Sequence, residues 1–535
     1  MNTRDIHLLP KFESAFLQEN WDKLSCLLNP KLFRNFESEE FVAFPVLAKV
    51  AQILTTEDPV IPEHVKIACL KCLGNSCFNG YVHKEYDSVN FDCGLYSQKL
   101  YSCLATENLG DIKNCNSYPF NSCFPYEGVI EWTSNFIISF KTDNDLSDEQ
   151  LEILRLSIQF LCNHFTFACE SSSSPDQYKI PKFLNNTNLK NVIMNLTHSD
   201  HVPLVRPSCV FIHNALKEFE GKCFTESEKI RFCSQLLKPI KEGFESAMEA
   251  LILLLCQSNV LQNAYDDMVI EDKLCLLEII YNEISEFVYK NKEGHIFTQE
   301  TIKFLAERFC RRSDLILRTV DTYLDDMQPR EIIILLDILG TVTSGASDKF
   351  NFLKEYRSLL INCTYLLKSI QMIGKQSNNY FTPLQKLSDV APAAQANNEL
   401  KANESESEKS KSETSTRKND LHKHPAYGFK AGLIRIIGNM SYKNKECQDL
   451  LREMGAVPLL LDCCNIDARN PLIMQWTILG LRNLCDGNPE NQEIIRNCTR
   501  VGIVENSVLQ EMGLTLHEDE EGKKIGIVPL PRDPK

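Results

Sequence analysis

Glycine and proline are scarce for a chain of 535 residues, at 21 and 22. Tight turns draw on those two residues, so a strand-and-turn architecture of this length is disfavoured and helices are favoured. Long apolar runs are missing as well. The longest, "LILLLC" from Leu251 and "IIILL" from Ile332, fall far short of the roughly 20 residues that span a bilayer. The first residues, "MNTRDIHLLPKFESAF", mix acidic and polar side chains where a secretory signal needs an unbroken apolar core. The expectation is a soluble, cytoplasmic protein with no membrane insertion. Positive charge is also short: 57 Lys and Arg stand against 72 Asp and Glu, a net −15, with no visible basic stripe. A surface that neutralises phosphates is therefore not expected, which argues against nucleic-acid binding.

Cysteine, by contrast, is plentiful at 22. Without a secretory signal these read as reduced thiols. Most sit among aliphatic residues, as in "IACLKCLGNSC" (Cys69, Cys72, Cys77) and "LLLDCC" (Cys463, Cys464), where a thiol behaves as a small apolar side chain. Cys69 and Cys72 have C-x-x-C spacing, with Cys77 and His83 following, but no second C-x-x-C completes a ligand set and zinc is disfavoured. Cys162 and His164 in "CNHF" could suggest a thiol–imidazole pair, yet near neighbours on a helix point to different sides. No phosphate-cradling glycine loop, nucleophile elbow or HExxH is present. The reading is a non-enzyme with no catalytic residues, no metal and no cofactor.

The clearest boundary is "NNELKANESESEKSKSETSTRKND", which has almost no large apolar residue. A disordered linker is expected over 391–423, because such a segment buries too little surface to offset its ordering entropy. Ser410, Ser412, Thr414, Ser415 and Thr416 are its candidate phosphorylation sites, with a mere spacer as the alternative. Before it, 1–390 reads as degenerate helical repeats, interrupted by an irregular loop over about 81–127. After it come repeats over 424–500, then a C-terminal helix and polar tail over 501–535.

The repeats are most legible after the linker. "FKAGLIRIIGNM" places Leu433, Ile436, Ile437 and Met440 on one helical face. A helix from Glu446 stops at Gly455; a short one follows with Pro458 in its first turn; Pro471 opens a third, with Met474, Ile478, Leu481 and Cys485 on one stripe. Asn488 and Pro489 form an N-cap and first-turn pair for the next helix. A shift of 44 residues lays Asn439 on Asn483, Asn444 on Asn488, Glu446 on Glu490, Gln448 on Gln492 and Arg452 on Arg496. That period lies within the roughly 40–47 residues of armadillo and HEAT repeats. Echoes upstream end helices at Asn75, Asn163 and Asn214, while the helical segments between Glu245 and Ser344 replace or lose the asparagine. The expected fold is all-α, an armadillo/HEAT-like solenoid of stacked helical repeats.

A polar residue in an inner helix has two readings. Asn439 and Asn483 either contact the backbone of a bound partner, with Trp476 near the same face, or satisfy backbone groups of the following turn. Both readings stay open at this point. Arg435 and Arg482, one turn from these asparagines, are candidate contacts for an acidic partner, against the commoner solvated arginine. The tryptophan–asparagine spacing of nuclear import adaptors is absent, since residue 479 is Leu, but a peptide-binding transport adaptor of importin type is kept as the alternative function.

The stretch from His424 to Gln492, "HPAYGFKAGLIRIIGNMSYKNKECQDLLREMGAVPLLLDCCNIDARNPLIMQWTILGLRNLCDGNPENQ", resembles the C-terminal domain that defines the ataxin-10 family. The resemblance is specific there and diffuse over the N-terminal part; it does not extend to the Ser/Lys-rich insertion. It implies an armadillo-like scaffold without catalytic activity, linked to cytokinesis and to neuronal survival and differentiation. It further implies a cytoplasmic or perinuclear place, with the centrosome, base of the cilium or midbody among its sites. A G-protein β subunit and O-GlcNAc transferase are the partners it implies, and self-association is left open.

Overall fold

The computed structural model describes residues 8–33, 44–77, 125–140, 147–169, 180–290, 297–320, 327–345, 348–376, 379–383, 424–465, 467–498, 510, 513–518 and 525–530. The linker, with Ser410, Ser412, Thr414, Ser415 and Thr416, and all but the last residues of the 81–127 stretch lie outside them. The chain divides into two units, Met1–Ala264 and Tyr265–Lys535.

The first unit carries α1 (Leu8–Leu17), α2 (Trp21–Leu27), α3 (Phe44–Thr55), α4 (Glu63–Ser76), α5 (Pro125–Ser139), α6 (Asp148–Cys169), α7 (Thr187–Leu196), α8 (Val202–Glu218), α9 (Glu226–Gln235), α10 (Leu237–Lys241) and α11 (Glu245–Leu255), followed by α12 (Val260–Tyr265). Helices α4, α6, α8 and α11 pack side by side in that order and form the inner row. Local chemistry sets several starts. Thr225 and Glu228 make a reciprocal capping box for α9, and the Asn186 side chain accepts two backbone N–H groups of α7. Glu228 also takes a hydrogen bond from buried Lys190 at 2.9 Å, which ties α7 to α9. Burial alone would raise the Glu228 carboxyl, but its bonds from Lys190 and Thr225 prevail and hold it low.

The second unit carries α13 (Ile270–Lys290), α14 (Gln299–Arg312), α15 (Gln328–Val342), α16 (Arg357–Gln376), α17 (Phe429–Ser441), α18 (Lys445–Glu453), α19 (Ala456–Asp462), α20 (Ile473–Cys485) and α21 (Pro489–Arg496). Its inner row is α13, α15, α17 and α20, with α16 packed on α17 from the other layer. Asn444 and Asn488 cap α18 and α21, each side-chain oxygen accepting the backbone N–H three residues on, at 3.2 Å. Gly455 turns α18 into α19 at φ +74°, a left-handed conformation open to glycine. Two short helices and one longer one follow one another over Lys445–Cys485. Among the described residues each unit is helical, apart from one hairpin, and its long helices stack in rows as in an all-α solenoid.

Four local expectations need correction. Helix α20 begins at Ile473 rather than Pro471, because Leu472 takes a left-handed φ of 62° and the proline falls in the preceding turn. Asn163 and Asn214 do not end helices: α6 runs on to Cys169 and α8 to Glu218. The polar tail contains an antiparallel hairpin, β1 (Leu514–Glu518) with β2 (Ile525–Pro529), in which Leu516 pairs with Ile527. Alternating apolar residues at Leu514, Leu516, Ile525 and Ile527 supply the period-two pattern that a charged run between them obscures. The stripe Met474, Ile478, Leu481 and Cys485 is not core: the buried face of α20 is Ile473, Thr477, Gly480, Asn483 and Leu484. Among the described residues α20 is the last long helix of its row, and none of them places a further long helix on its outer side.

Candidate functional site

The asparagines join neighbouring inner helices. In the first unit Asn163 of α6 donates to the Gly74 carbonyl of α4 at 3.2 Å, and Asn214 of α8 donates to Thr166 Oγ1 of α6 at 3.1 Å. In the second unit Asn439 of α17 donates to the Gly340 carbonyl of α15 at 3.2 Å, and Asn483 of α20 to the Gly438 carbonyl of α17 at 2.9 Å. The reason lies in helix termini, whose last carbonyls have no intrahelical donor. At the end of α17 the Tyr442 N–H turns to Asn439 O, and Gly438 O is met by Ser441 Oγ and Asn483 Nδ2 instead. Asn439 and Asn483 thus meet backbone carbonyls of the preceding helix rather than of the following turn, while Asn214 meets side-chain atoms. Asn483 is buried and Asn439 half-buried, so neither presents a free amide face comparable to that of an exposed side chain.

Arg435 organises the surface beside this row. Its guanidinium lies 5.4 Å from the Trp476 ring centroid on α20. One Nη donates to Tyr289 OH on α13 at 2.7 Å and to Thr341 Oγ1 on α15 at 3.4 Å. The arginine crosses α15 at Gly340, where a Cβ would stand 3.1 Å from Nη1, so the glycine makes room for it. Asp337 stands beside it; surrounding protein pushes its carboxyl up, with the Arg435 charge opposing. Trp476 is half-buried and Tyr289 is 59% exposed, which gives a row of two aromatic rings around one arginine, fixed on four helices. Arg482 is exposed farther along α20. Of the residues singled out in the sequence, Arg435 and Trp476 lie together here; Tyr289, Asp337 and Thr341 were not among them. Thr341 follows Gly340 as Asn439 follows Gly438, a signal that a search for asparagine alone passes over.

A second polar cluster closes the base of the linker. Arg469 Nη1 donates to the carbonyls of Asn379, at 2.7 Å, and Thr382. Tyr380 stacks on His424 with ring centroids 3.8 Å apart, and buried Lys430 pairs with Asp467 at 3.2 Å while reaching Phe381 O. Asn470 Oδ1 accepts the N–H groups of Lys430 and Ala431, so it caps α17, whose own N-cap residue is Gly428. Residues on the two sides of the linker are thereby held against each other, and Lys375 and Gln371 of α16 bind Asp462 of α19.

The thiol and imidazole candidates sit in apolar or engaged surroundings. Cys69, Cys72 and Cys77 are fully buried, and burial pushes their thiols far up. His83 lies outside the described residues. Cys162 Sγ accepts from Asn214 at 3.2 Å and its thiol is pushed up to about 12, first by burial. The His164 ring lies among Tyr126, Phe160 and Phe183, where burial lowers it to about 4. Among the described residues no group of three or more His, Cys, Asp and Glu is arranged to hold a metal, and no helix is long and apolar enough to cross a membrane.

Residues 429–526, from the start of α17 into β2, match a family profile described as the spinocerebellar ataxia type 10 protein domain. Over a longer span the chain is similar to Ataxin-10 of Xenopus tropicalis, 27% identical over 403 residues that cover 74% of this chain and 75% of that protein. It is similar to Ataxin-10 of Homo sapiens at 24% over 399 residues, covering 73% and 74%. An Ataxin-10 homolog of Dictyostelium discoideum is 43% identical over 95 residues, 18% of this chain and 16% of that one.

Proposed function

The chain belongs to the ataxin-10 family, and from that premise we propose that it is a non-enzymatic, cytoplasmic scaffold that binds protein partners through the inner row of its second unit. The observation that carries this reading is the Tyr289–Arg435–Trp476 row. Tyrosine, tryptophan and arginine are the residue types that dominate binding energy at protein interfaces, and here they are pre-ordered by mutual contacts. The groove-binding transport adaptor draws no comparable support, because Asn439 and Asn483 are already engaged within the chain. By family resemblance, the proposed work is in cytokinesis and in neuronal survival and differentiation, with a G-protein β subunit and O-GlcNAc transferase as the partners to try first. The centrosome, cilium base and midbody are the corresponding places.

The test uses the purified full chain against each of those two partners. Trp476→Ala and Tyr289→Ala should each weaken binding by about tenfold or more, the loss expected at an interface hot spot, while the melting temperature of Tyr289→Ala stays near that of the parent. Equal binding by all three chains overturns the assignment of this row. Depletion in dividing cells should yield failed abscission; normal division and a diffuse or nuclear distribution would contradict the cellular part.

A further inference from the structure

Helix α20 repeats α17 at a spacing of 44 residues, and the correspondence can be followed face by face. Leu433, Ile436 and Met440 are buried in α17, and their equivalents Thr477, Gly480 and Leu484 are buried in α20. The other side of α17, with Lys430, Ile434, Ile437, Gly438 and Ser441, is buried too. Helix α20 lies on that side: a Cβ on Gly438 would stand 3.0 Å from Gly480 Cα, and one on Gly480 would stand 3.9 Å from Ile434. The equivalents of those residues in α20 are Met474, Ile478, Leu481, Arg482 and Cys485. Ile478 is 59% exposed and Met474 36%, with Leu481 and Cys485 half-buried. An apolar stripe with the register of a stacking face therefore continues the α17–α20 interface without a described helix upon it.

Two features define what fits there. The glycine that admits α20 against α17 is replaced by Arg482, so a helix that copies α20 cannot seat at the same close distance. Arg482 also makes no hydrogen bond or ion pair to a described residue. The other arginines from 429 to 496 are all engaged: Arg435 with Tyr289, Arg452 with Asp449 and Glu490, Arg469 with Asn379 and Thr382, Arg496 with Glu493. We propose that the outer face of α20 seats an amphipathic helix of a protein partner, whose apolar side covers Met474, Ile478 and Leu481 and whose carboxylate meets Arg482. The proposal rests on the reading of the chain as a protein-binding scaffold and adds a second surface to it. Apolar burial supplies the attraction and the arginine selects the partner, since an unmatched charge beside a desolvated stripe is unfavourable.

The probes are two synthetic helical peptides that share one leucine–isoleucine stripe and differ only in Glu or Lys at the position opposite Arg482. Fluorescence anisotropy with the full chain should show the Glu peptide binding about tenfold more tightly than the Lys peptide. Arg482→Glu should reverse that preference, and Ile478→Asp should abolish binding of both. Both side chains are exposed, so thermal melts should be unchanged; if Ile478→Asp melts early, the Arg482→Glu reversal decides alone. Peptide binding indifferent to Arg482→Glu overturns the proposal. So does a chain that binds neither peptide and sediments as a dimer that Ile478→Asp dissociates, which would assign the face to a second copy. Either failure leaves the scaffold reading to its own test at Trp476 and Tyr289.

Discussion

Asn483 Nδ2 donates to the carbonyl oxygen of Gly438, 45 residues earlier, at 2.9 Å in a buried setting. The bond joins the last turns of two neighbouring inner helices, and Gln448 Nε2 reaches the Asn483 carbonyl at the same 2.9 Å. Asn483→Ala removes a donor from a buried carbonyl and leaves Ser441 as its remaining side-chain partner. The expected loss of stability is about 1–3 kcal/mol, read as a lower urea midpoint with an unchanged slope. An unaltered midpoint with weakened partner binding would instead make Asn483 a contact residue.

Gly438 is constrained from the other direction. Its missing side chain lets α17 and α20 meet at Gly480, where a Cβ would come within 3.0 Å of a backbone atom that cannot swing aside. Gly438→Ala gains up to about 1 kcal/mol of helix propensity. Overpacking typically costs about 1–3 kcal/mol, so a net decrease in the melting temperature is expected. A rise would mean that the two helices separate without loss.

What could be read in advance divides along physical lines. The caps at Asn444 and Asn488, the turn at Gly455 and the buried face of α17 depend on near neighbours, and the sequence carries them plainly. The destination of each asparagine side chain depends on a helix dozens of residues away, and so it escaped. The stripe on α20 has the right period for burial, but period cannot say whether the neighbour it calls for is supplied by the same chain. Nothing local marks Arg469 and Lys430, yet they join segments on both sides of the linker.

That junction leads to a prediction about the linker. Asn379–Phe381 and His424–Lys430 are held together by Arg469, by the Tyr380–His424 stack and by the Lys430–Asp467 pair. The fold of the second unit therefore does not need the intervening residues to bring its ends together. Replacing residues 388–419 with a few glycines and serines should preserve the helical circular dichroism and raise stability by about 1 kcal/mol, because a shorter loop costs less entropy to close. Arg469→Ala should lower stability in either background. Loss of a cooperative melt in the shortened chain would reject this account of the junction.

Acid should loosen the C-terminal repeats through Asp449. Burial would raise its carboxyl, but hydrogen bonds from Asn488, Arg452 and Lys445 hold it down at about 2. The Asn488 bond, at 3.0 Å, runs to the residue that caps α21, so ionised Asp449 helps to fix one repeat to the next. The folded value lies below the roughly 3.9 of an unfolded aspartate. Its contribution is therefore complete above about pH 4 and fades as the pH falls through about 2. Urea midpoints followed across that interval should drop less steeply for Asp449→Asn than for the parent, after a lower starting value at neutral pH. Identical slopes would remove Asp449 from the acid response and leave Asn488 with its capping role alone.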